Sequence, residues 1–269
     1  DEITALCCPK NLLNRKDHEK RFPENLRFWM KPEHQLWNES SDKKLTLSLL
    51  TKNSDPLPSD IANVTNKALF TKIVDNVFDQ DAHDTKGFFR FLTCIIASDR
   101  FVFPVDKKLD VSMLDNLFSE LLHQYVPPNN SEKSTLIEYA HFLGFIEKQE
   151  NGYLLDPTRA IVGELSDIFH ETSLLPINQF ITQLGQKLPI LDGGVYREEV
   201  EMAMSDNGWK KYTDNYVSKS LSHALFRLRR MKKIVFLTAS DDTEALSLRL
   251  PDNKTQIVSS IQYLNGDIK

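Results

Sequence analysis

Three segments of the sequence repeat one pattern, in which an amphipathic helix runs directly into a charged β-hairpin. The clearest copy spans residues 215–250, where the basic stretch NYVSKSLSHALFRLRRMKK enters IVFLTASDDTEALSLRL. A middle copy spans 134–157, and a looser first copy spans 23–49. A helix followed by a two-stranded hairpin is the last part of a winged helix-turn-helix domain. The repeat therefore predicts a modular binding protein rather than an enzyme.

The predicted fold class is mainly α with short β-hairpins, an α+β fold of tandem winged helix-turn-helix units joined by helices. Hydrophobic periodicity marks the helices, and Pro, Ser, Asp and Gly clusters mark the boundaries. The predicted parts are a partial or degenerate winged-helix unit (1–50), a linker and connecting helix (51–84), a middle winged-helix unit (85–157), a connecting helix (158–175) and a C-terminal winged-helix unit (176–269).

Local turn signals place individual residues within these parts. The middle hairpin is expected to turn at Asn151-Gly152, because both residue types tolerate a positive φ angle. Asp156-Pro157 is read as the N-cap and first position of the connecting helix. The stretch LDGG, residues 191–194, predicts a turn between the first two helices of the last unit.

Composition limits the compartment in which such a chain works. The 269 residues include three cysteines, too few for a disulfide framework. No stretch approaches the roughly 18 to 20 apolar residues of a membrane span, and the N-terminus has no signal-peptide pattern. We therefore expect a cytoplasmic protein with no membrane partner.

The charge of the chain is unevenly distributed. The net charge is −5, yet residues 210–233 contain eight basic residues and one acidic residue, Asp214. This segment carries +7, which leaves −12 for the rest of the chain. A single basic surface is therefore predicted, rather than a protein covered by nucleic acid along its whole length.

The helical projection of this basic segment separates a core stripe from an outward face. The stripe predicted to face the core contains Val217, Leu221, Ala224, Leu225, Leu228 and Met231. In a winged helix the opposite face, above all its N-terminal half, enters the major groove of DNA. The predicted nucleic-acid-binding residues on this face and its flanks are Lys210, Lys211, Tyr216, Lys219, Ser222, His223, Arg227 and Arg230.

Two other readings of these faces stay open. Cations in the last turn of a helix are stabilised by its dipole, by about 0.3 to 1 kcal/mol, without any ligand. Phe226 fits a protein contact better than a phosphate contact, since an exposed aromatic side chain usually marks an interface. In the middle copy Glu138 and Phe142 are predicted to point outward, and Glu138 would repel phosphate. Phe226, Glu138 and Phe142 are therefore the candidate protein-interface residues.

Signals for catalysis are missing from the sequence. The seven histidines include no pair at a helical ligand spacing, and the nine glycines form no phosphate-binding loop. No G-x-S-x-G nucleophile motif occurs. We therefore expect no enzymatic activity, no metal site and no cofactor.

Three short stretches between Leu136 and Gly194 carry a family resemblance. They are FLGF at 142–145, DPTRA at 156–160 and LPILDGG at 188–194. With these stretches the chain resembles the DpdG proteins of bacterial gene clusters for 7-deazaguanine modification of DNA and the associated restriction. The resemblance implies a bacterial cytoplasmic accessory subunit that acts with other protein subunits in an antiviral defence or DNA-modification system.

The favoured hypothesis is a non-catalytic DNA-binding or DNA-targeting accessory subunit of such an assembly. One alternative is a protein-interaction scaffold whose winged helices dock other subunits without nucleic acid. Another is a transcriptional regulator, which would need a symmetric dimer and a palindromic site.

Overall fold

The computed structural model describes most of the chain from Thr85 onward. The described ranges are 85–98, 102–106, 108–109, 130–149, 152–211, 215–249 and 254–264, with short stretches between 27 and 70 and single residues at 120 and 122. Backbone contacts divide the chain into two compact units, residues 1–72 and 73–269. Both predicted complete winged-helix units thus lie in the second compact unit.

The described residues of the first unit include a short hairpin. Strand β1 (Trp37–Glu39) pairs antiparallel with β2 (Leu45–Leu47), and Trp37 stands opposite Leu47. This confirms the hairpin of the first predicted copy. Most of the helix predicted before it, and the linker predicted at 51–60, lie outside the described residues.

The described part of the second unit begins with helices and a four-stranded sheet. These elements are α1 (Thr85–Ala97), β3 (Val102–Asp106), β4 (Lys108–Leu109), α2 (Asn130–Phe142), β5 (Ile146–Gln149) and β6 (Gly152–Leu155). The strand order is β4-β3-β6-β5, with antiparallel pairing throughout. The predicted middle hairpin is confirmed as β5-β6. Gln149 pairs with Gly152, and Asn151 lies outside the described residues.

Helices dominate the next part of the second unit. Its elements are α3 (Thr158–Val162), α4 (Leu165–Ile168), β7 (Leu174–Pro176), α5 (Ile177–Lys187), α6 (Val195–Asp206), α7 (Lys219–Arg230), β8 (Ile234–Leu237), β9 (Leu246–Arg249), β10 (Thr255–Val258) and β11 (Ser260–Tyr263). Helices combined with small antiparallel sheets confirm the predicted α+β class.

The strand pairing of the last hairpin differs from the prediction. Strands β8 and β9 both form within residues 234–250, but they do not pair with each other. Strand β8 pairs with β11, which also pairs with β7, whereas β9 pairs with β10. The predicted hairpin ended at residue 250, so the prediction contained neither β10 nor β11. Because β11 bonds along both edges and buries Ile261 completely, it takes the position beside β8 that the prediction gave to β9.

The core stripe of α7 is largely as predicted. Val217, Leu221, Ala224, Leu225 and Leu228 are each at most 1% exposed. Met231, by contrast, is 50% exposed, because α7 ends at Arg230 and the chain turns there into β8. The helix packs its sides against α3, β8 and β9.

Close packing between α5 and the 191–194 turn requires glycines. A Cβ atom at Gly185 would lie 2.3 Å from the carbonyl carbon and oxygen of Gly193. Gly193 itself has a φ of +78°, a left-handed conformation that glycine adopts without strain. The predicted LDGG turn is confirmed, and its backbone contact with α5 fixes where α6 begins.

Candidate nucleic-acid interface

The N-terminal half of α7 is covered by β9. The Ser222 hydroxyl donates to the Val217 carbonyl at 3.3 Å and accepts the Arg249 N–H at 2.9 Å. Ser222 is completely buried, so its prediction as an outward, nucleic-acid-binding residue is wrong. Strand β9 is held there by backbone bonds to the segment before α7, including Val217 N–H to Ser247 O at 3.1 Å. This half of α7 is therefore closed to a major groove.

Four of the predicted residues lie together in a separate cleft. Lys210, Lys211, Tyr216 and Lys219 line a cavity of about 580 Å³ between α5, α6, α7 and β9. Tyr216 is 37% exposed. The structure thus brings residues from both sides of the 212–214 segment to one place, which the sequence spacing alone did not predict.

The end of α6 directs two of these lysines to the cleft. The Gly208 N–H donates to the Ser205 carbonyl at 3.0 Å, and the Trp209 N–H donates to the Met204 carbonyl at 3.1 Å. This pair of bonds is the Schellman motif, which needs a left-handed residue just past the helix. Gly208 supplies it with a φ of +87°. Trp209, Lys210 and Lys211 follow directly and all line the cavity.

The floor of the cleft is a buried ion network. The Arg197 side chain is 5% exposed, donates from Nε to Glu201 Oε1 at 2.5 Å and lies 3.6 Å from Asp192 Oδ1. Lys211 Nζ is 3.2 Å from the other oxygen of Glu201. The Ser218 N–H donates to Asp192 Oδ2 at 2.7 Å, which ties the start of α7 to the floor. Sequence reasoning missed this network because its members are spread over four segments.

Two other predicted residues are held by a carboxylate inside the protein. The Asp156 side chain is fully buried and accepts a hydrogen bond from Arg227 Nη1, and His223 Nε2 lies 3.6 Å from the same oxygen. Its other oxygen accepts the Thr158 N–H at 3.0 Å. Burial alone would raise the pKa of Asp156, but the hydrogen bonds from His223, Thr158 and Arg227 outweigh it and lower the pKa to about 2. Asp156 therefore stays ionised and joins α7 to the segment before α3.

The C-terminal half of α7 forms a second concave surface, which we call the arginine groove. It is lined by His223, Phe226, Arg227, Arg229 and Arg230 and encloses about 440 Å³. None of these five residues of the described helix is acidic. The predicted residues His223, Arg227 and Arg230 are thus brought together, and Arg229 joins them.

Phe226, a predicted interface residue, forms the apolar base of the arginine groove. Its ring packs edge-on against Phe236 of β8, with centroids 5.5 Å apart. The Arg229 guanidinium lies 5.3 Å from the same Phe236 ring and donates to Gln256 at 3.2 Å. The stacking and the hydrogen bond hold the Arg229 guanidinium in one position. The neighbouring Arg230 is exposed to solvent.

The other two predicted interface residues lie on α2. Glu138 is exposed and binds Lys148 at 2.6 Å, and Phe142 is 41% exposed. Their predicted outward position is confirmed, and their role in an interface stays a prediction. Tyr139 between them is 51% exposed.

The described residues form neither a metal-binding cluster nor a membrane-spanning helix. Within the described ranges, no three His, Cys, Asp or Glu side chains come close enough to hold a metal ion. None of the helices that the structure describes combines the length and apolar character needed to cross a membrane.

Comparison with known proteins identifies the family. No curated protein and no solved structure is detectably similar to the chain. The model of the family described as DpdG-like, however, matches residues 1–242. The three stretches that suggested the resemblance all lie within this match. Since the match covers 242 of 269 residues, the chain belongs to the DpdG-like family.

Proposed function

We propose that this chain is a non-catalytic, DNA-binding accessory subunit of a bacterial assembly that modifies and restricts DNA through 7-deazaguanine chemistry. The family suggests the system, and the arginine groove supports the DNA contact. In this proposal the subunit acts in the cytoplasm beside other protein subunits, and its helices α5 to α7 serve as a winged-helix unit with an altered wing.

The arginine groove suits contact with the phosphate backbone. From His223 to Arg230 the helix rises about 10 Å at 1.5 Å per residue. A groove of this length can contact consecutive phosphates of one DNA strand. Arginine presents a planar fork of donors that matches phosphate oxygens. None of the five lining residues is acidic, and although Asp156 binds Arg227 from below, Arg229 and Arg230 add further positive charge to the groove.

The proposed mode of binding is backbone contact with little sequence preference. The part of α7 that would read bases in a winged helix lies under β9, as the burial of Ser222 shows. Phosphate contacts position a protein on DNA but carry no sequence information directly. A subunit of this kind would hold DNA for a partner that recognises or modifies the base. No observation favours a transcriptional regulator, which needs sequence-specific reading.

Duplex binding at several salt concentrations tests this proposal. We expect wild-type protein to bind a labelled 20-base-pair duplex, measured by fluorescence anisotropy, with affinity that falls steeply with salt. Arg230→Ala should weaken binding several-fold and lower the slope of log affinity against log salt by about 1, since one phosphate contact is lost. Lys148→Ala, an exposed cation on β5, is the matched control and should leave the slope unchanged. Failure of the wild type to bind, or equal slopes for Arg230→Ala and Lys148→Ala, would contradict the proposal.

A protein-interaction scaffold is the second candidate, and one observation favours it. Tyr139 and Phe142 expose two aromatic rings on adjacent positions of the α2 surface. Exposed aromatic side chains are enriched at protein interfaces. Phe142→Ser should then release a subunit that co-purifies with the wild-type chain from the native host, while DNA binding is retained.

A further inference from the structure

We infer that strand β8 is the pairing surface for a second copy of this chain, joined edge to edge and antiparallel about a twofold axis. Strand β8 lies at one side of the sheet β7-β11-β8, and none of the described strands pairs with its outer edge. Its residues, IVFL, include no charge and no proline. An apolar, unpaired edge of this kind is a template for another strand. The inference does not depend on the proposed DNA contact.

The hydrogen bonds to β11 show which backbone groups of β8 point outward. The Leu264 N–H donates to the Lys233 carbonyl at 2.8 Å, and bonded pairs alternate with unbonded pairs along an antiparallel ladder. Val235 therefore bonds to β11, whereas Ile234 and Phe236 direct their N–H and C=O groups to the outer edge. A second strand would bond to these two residues.

The edge strand β5 of the other sheet shows the protection that β8 lacks. The Ile146 carbonyl contacts His141 Nδ1 at 2.8 Å and Arg159 Nη2 at 3.4 Å. Glu147 and Lys148 also place charges on this strand. Covering side chains and charges keep natural edge strands from pairing with another chain. Among the described contacts, no side chain covers the outward groups of β8 in this way.

Charge complementarity identifies the partner as a second copy. Lys232 and Lys233 directly precede β8, and the loop that follows β8 carries Asp241, Asp242 and Glu244. In an antiparallel pair, the start of one strand lies beside the end of the other. Each copy therefore places its acidic loop next to the lysines of the other copy, and the twofold axis repeats this contact. Opposite charges that face each other across paired strands stabilise the pairing.

The end of α7 holds Lys232 in a fixed position. The Lys232 N–H donates to the Arg229 carbonyl and the Lys233 N–H donates to the Leu228 carbonyl, both at 3.0 Å. These bonds form a second Schellman motif, here with a lysine in the left-handed position, at a φ of 55°. Lysine seldom adopts this conformation. The turn thus places an exposed cation at the start of the edge strand, on a helix end rather than on a free loop.

The outward backbone groups also determine the register of the pair. The register that uses both outward residues of both copies pairs Ile234 of one copy with Phe236 of the other. Val235 then faces its own symmetry mate on the twofold axis. Because Phe236 packs against Phe226 of α7 and successive side chains alternate, Val235 and Leu237 lie on the other face of the sheet. Leu237 is 39% exposed there, and pairing would cover part of this apolar surface.

Sedimentation velocity of the full chain tests the inference through a charge swap on the axis. We expect the wild type to dimerise, and Val235→Lys and Val235→Glu each to weaken dimerisation at least about tenfold, since like charges then meet. An equimolar mixture of the two variants should associate again, because lysine faces glutamate. Val195→Lys on α6 replaces an apolar residue that is 49% exposed and is the matched control, which should dimerise as the wild type does. A wild type that is monomeric at roughly 100 µM, or a mixture as monomeric as its components, would overturn the inference.

A second swap uses the charged flanks, whose side chains are exposed, so the fold is kept. Lys232→Glu should weaken dimerisation several-fold, because it faces Asp241 of the second copy. Adding Asp241→Lys in the same chain should restore dimerisation, since opposite charges face each other again. A double variant weaker than Lys232→Glu alone would exclude this pairing. Dimerisation is measured without DNA, so its failure would leave the proposed DNA contact standing.

Discussion

Asp156 determines the orientation of side chains on an element far along the chain. Its buried carboxylate is bonded to Thr158, two residues on, and to Arg227, 71 residues on. A buried charge is stable only when it is paired and hydrogen-bonded, and here both oxygens have partners. Arg227 therefore enters the arginine groove with one of its guanidinium nitrogens already engaged, and a phosphate would bind to the others.

Replacing Asp156 with asparagine tests this buried pair. Asp156→Asn keeps the shape and one oxygen acceptor but removes the charge that Arg227 binds. We expect the free energy of unfolding to fall by about 2 kcal/mol, measured by urea denaturation. Glu138→Gln is the matched control, because it breaks an exposed pair with Lys148 and should cost less than about 0.5 kcal/mol. Equal costs for the two variants would contradict the role of the buried pair.

The same carboxylate predicts how stability depends on pH. In the folded protein the pKa of Asp156 is lowered from 3.8 to about 2, since hydrogen bonds outweigh the opposing effect of burial. A lowered folded pKa contributes stability that is fully present above the unfolded pKa and is lost as the pH falls through the folded pKa. The stability difference between wild type and Asp156→Asn should therefore shrink between about pH 4 and pH 2. A difference that stays constant over this window in urea titrations would refute the linkage.

At the scale of single residues, local signals were read correctly and distant partners were not. Asp156 was predicted as the N-cap of α3 and Pro157 as its first residue, but the helix starts one residue later, with Pro157 as the N-cap, and the Asp156 carboxylate still accepts the Thr158 N–H. Its bond to Arg227 joins two segments that lie 71 residues apart in the chain, so a local sequence pattern cannot predict it. Arg227 and His223 were accordingly assigned to DNA from charge and helical face alone, without the carboxylate that holds them.

Among the elements, α6 shows how a helix end positions a site. Its last carbonyls are satisfied by the Schellman bonds of Gly208 and Trp209, and the chain leaves the helix toward the cleft. The left-handed φ of Gly208 is the condition for this exit. The direction in which Trp209, Lys210 and Lys211 enter the cleft follows from one backbone angle.

A pair of substitutions at Gly208 measures the cost of this angle. A Cβ at Gly208 would meet no atom within 4 Å, so any effect comes from the backbone conformation alone. Gly208→Ala should lower the free energy of unfolding by about 1 kcal/mol in urea denaturation. Gly208→Asn should cost less, because asparagine adopts left-handed angles more readily. Identical costs for the two substitutions would show that the angle is not the cause.

Helices were predicted well at this scale because their signal is local. The buried stripe of α7 follows from a 3.6-residue period within a single segment. The covering of its outward face by β9 depends instead on a hydrogen bond that the Arg249 N–H, 27 residues away, donates to the Ser222 hydroxyl. Ser222 was therefore predicted to face solvent, since a helical projection contains no information about a second layer of structure.

Over the whole molecule, the last described strands complete the second unit. Strand β11 lies between β7 and β8, and Val258 and Ile261 are completely buried. The hairpin predicted from sequence ended at residue 250, and no element was predicted for the residues that follow it in the unit 176–269. The structure makes them part of the core.

Truncation distinguishes these two arrangements. A chain ending at Asn253 loses β10 and β11, and β7 and β8 lose their shared partner. We expect the truncated chain to lose the cooperative thermal unfolding of residues 73–269, followed by circular dichroism. A chain ending at Leu264 keeps both strands and should unfold as the full chain does. Cooperative unfolding of the shorter chain at an unchanged temperature would favour the predicted hairpin.

The fold class could be predicted from sequence at this scale, whereas the topology of the last sheet could not. Alternating helices and short strands follow from periodicity in each segment. Strand β8 pairs with β11, whose Ile261 is buried in the core. That contact exists only once the whole unit has assembled, so no local pattern predicts it. The family resemblance between residues 136 and 194 was likewise readable, because turn and packing residues such as those of LDGG are local.

The placement of β11 also sets an order of events during synthesis. The strands at either side of the sheet, β7 and β8, leave the ribosome before the strand that joins them. Until residue 263 has emerged, helices α5 to α7 form against a sheet that lacks its central strand, β11. Their apolar faces therefore stay exposed or loosely packed until strand β11 has been synthesised. Transiently exposed apolar surface of this kind is what makes incomplete chains prone to aggregation.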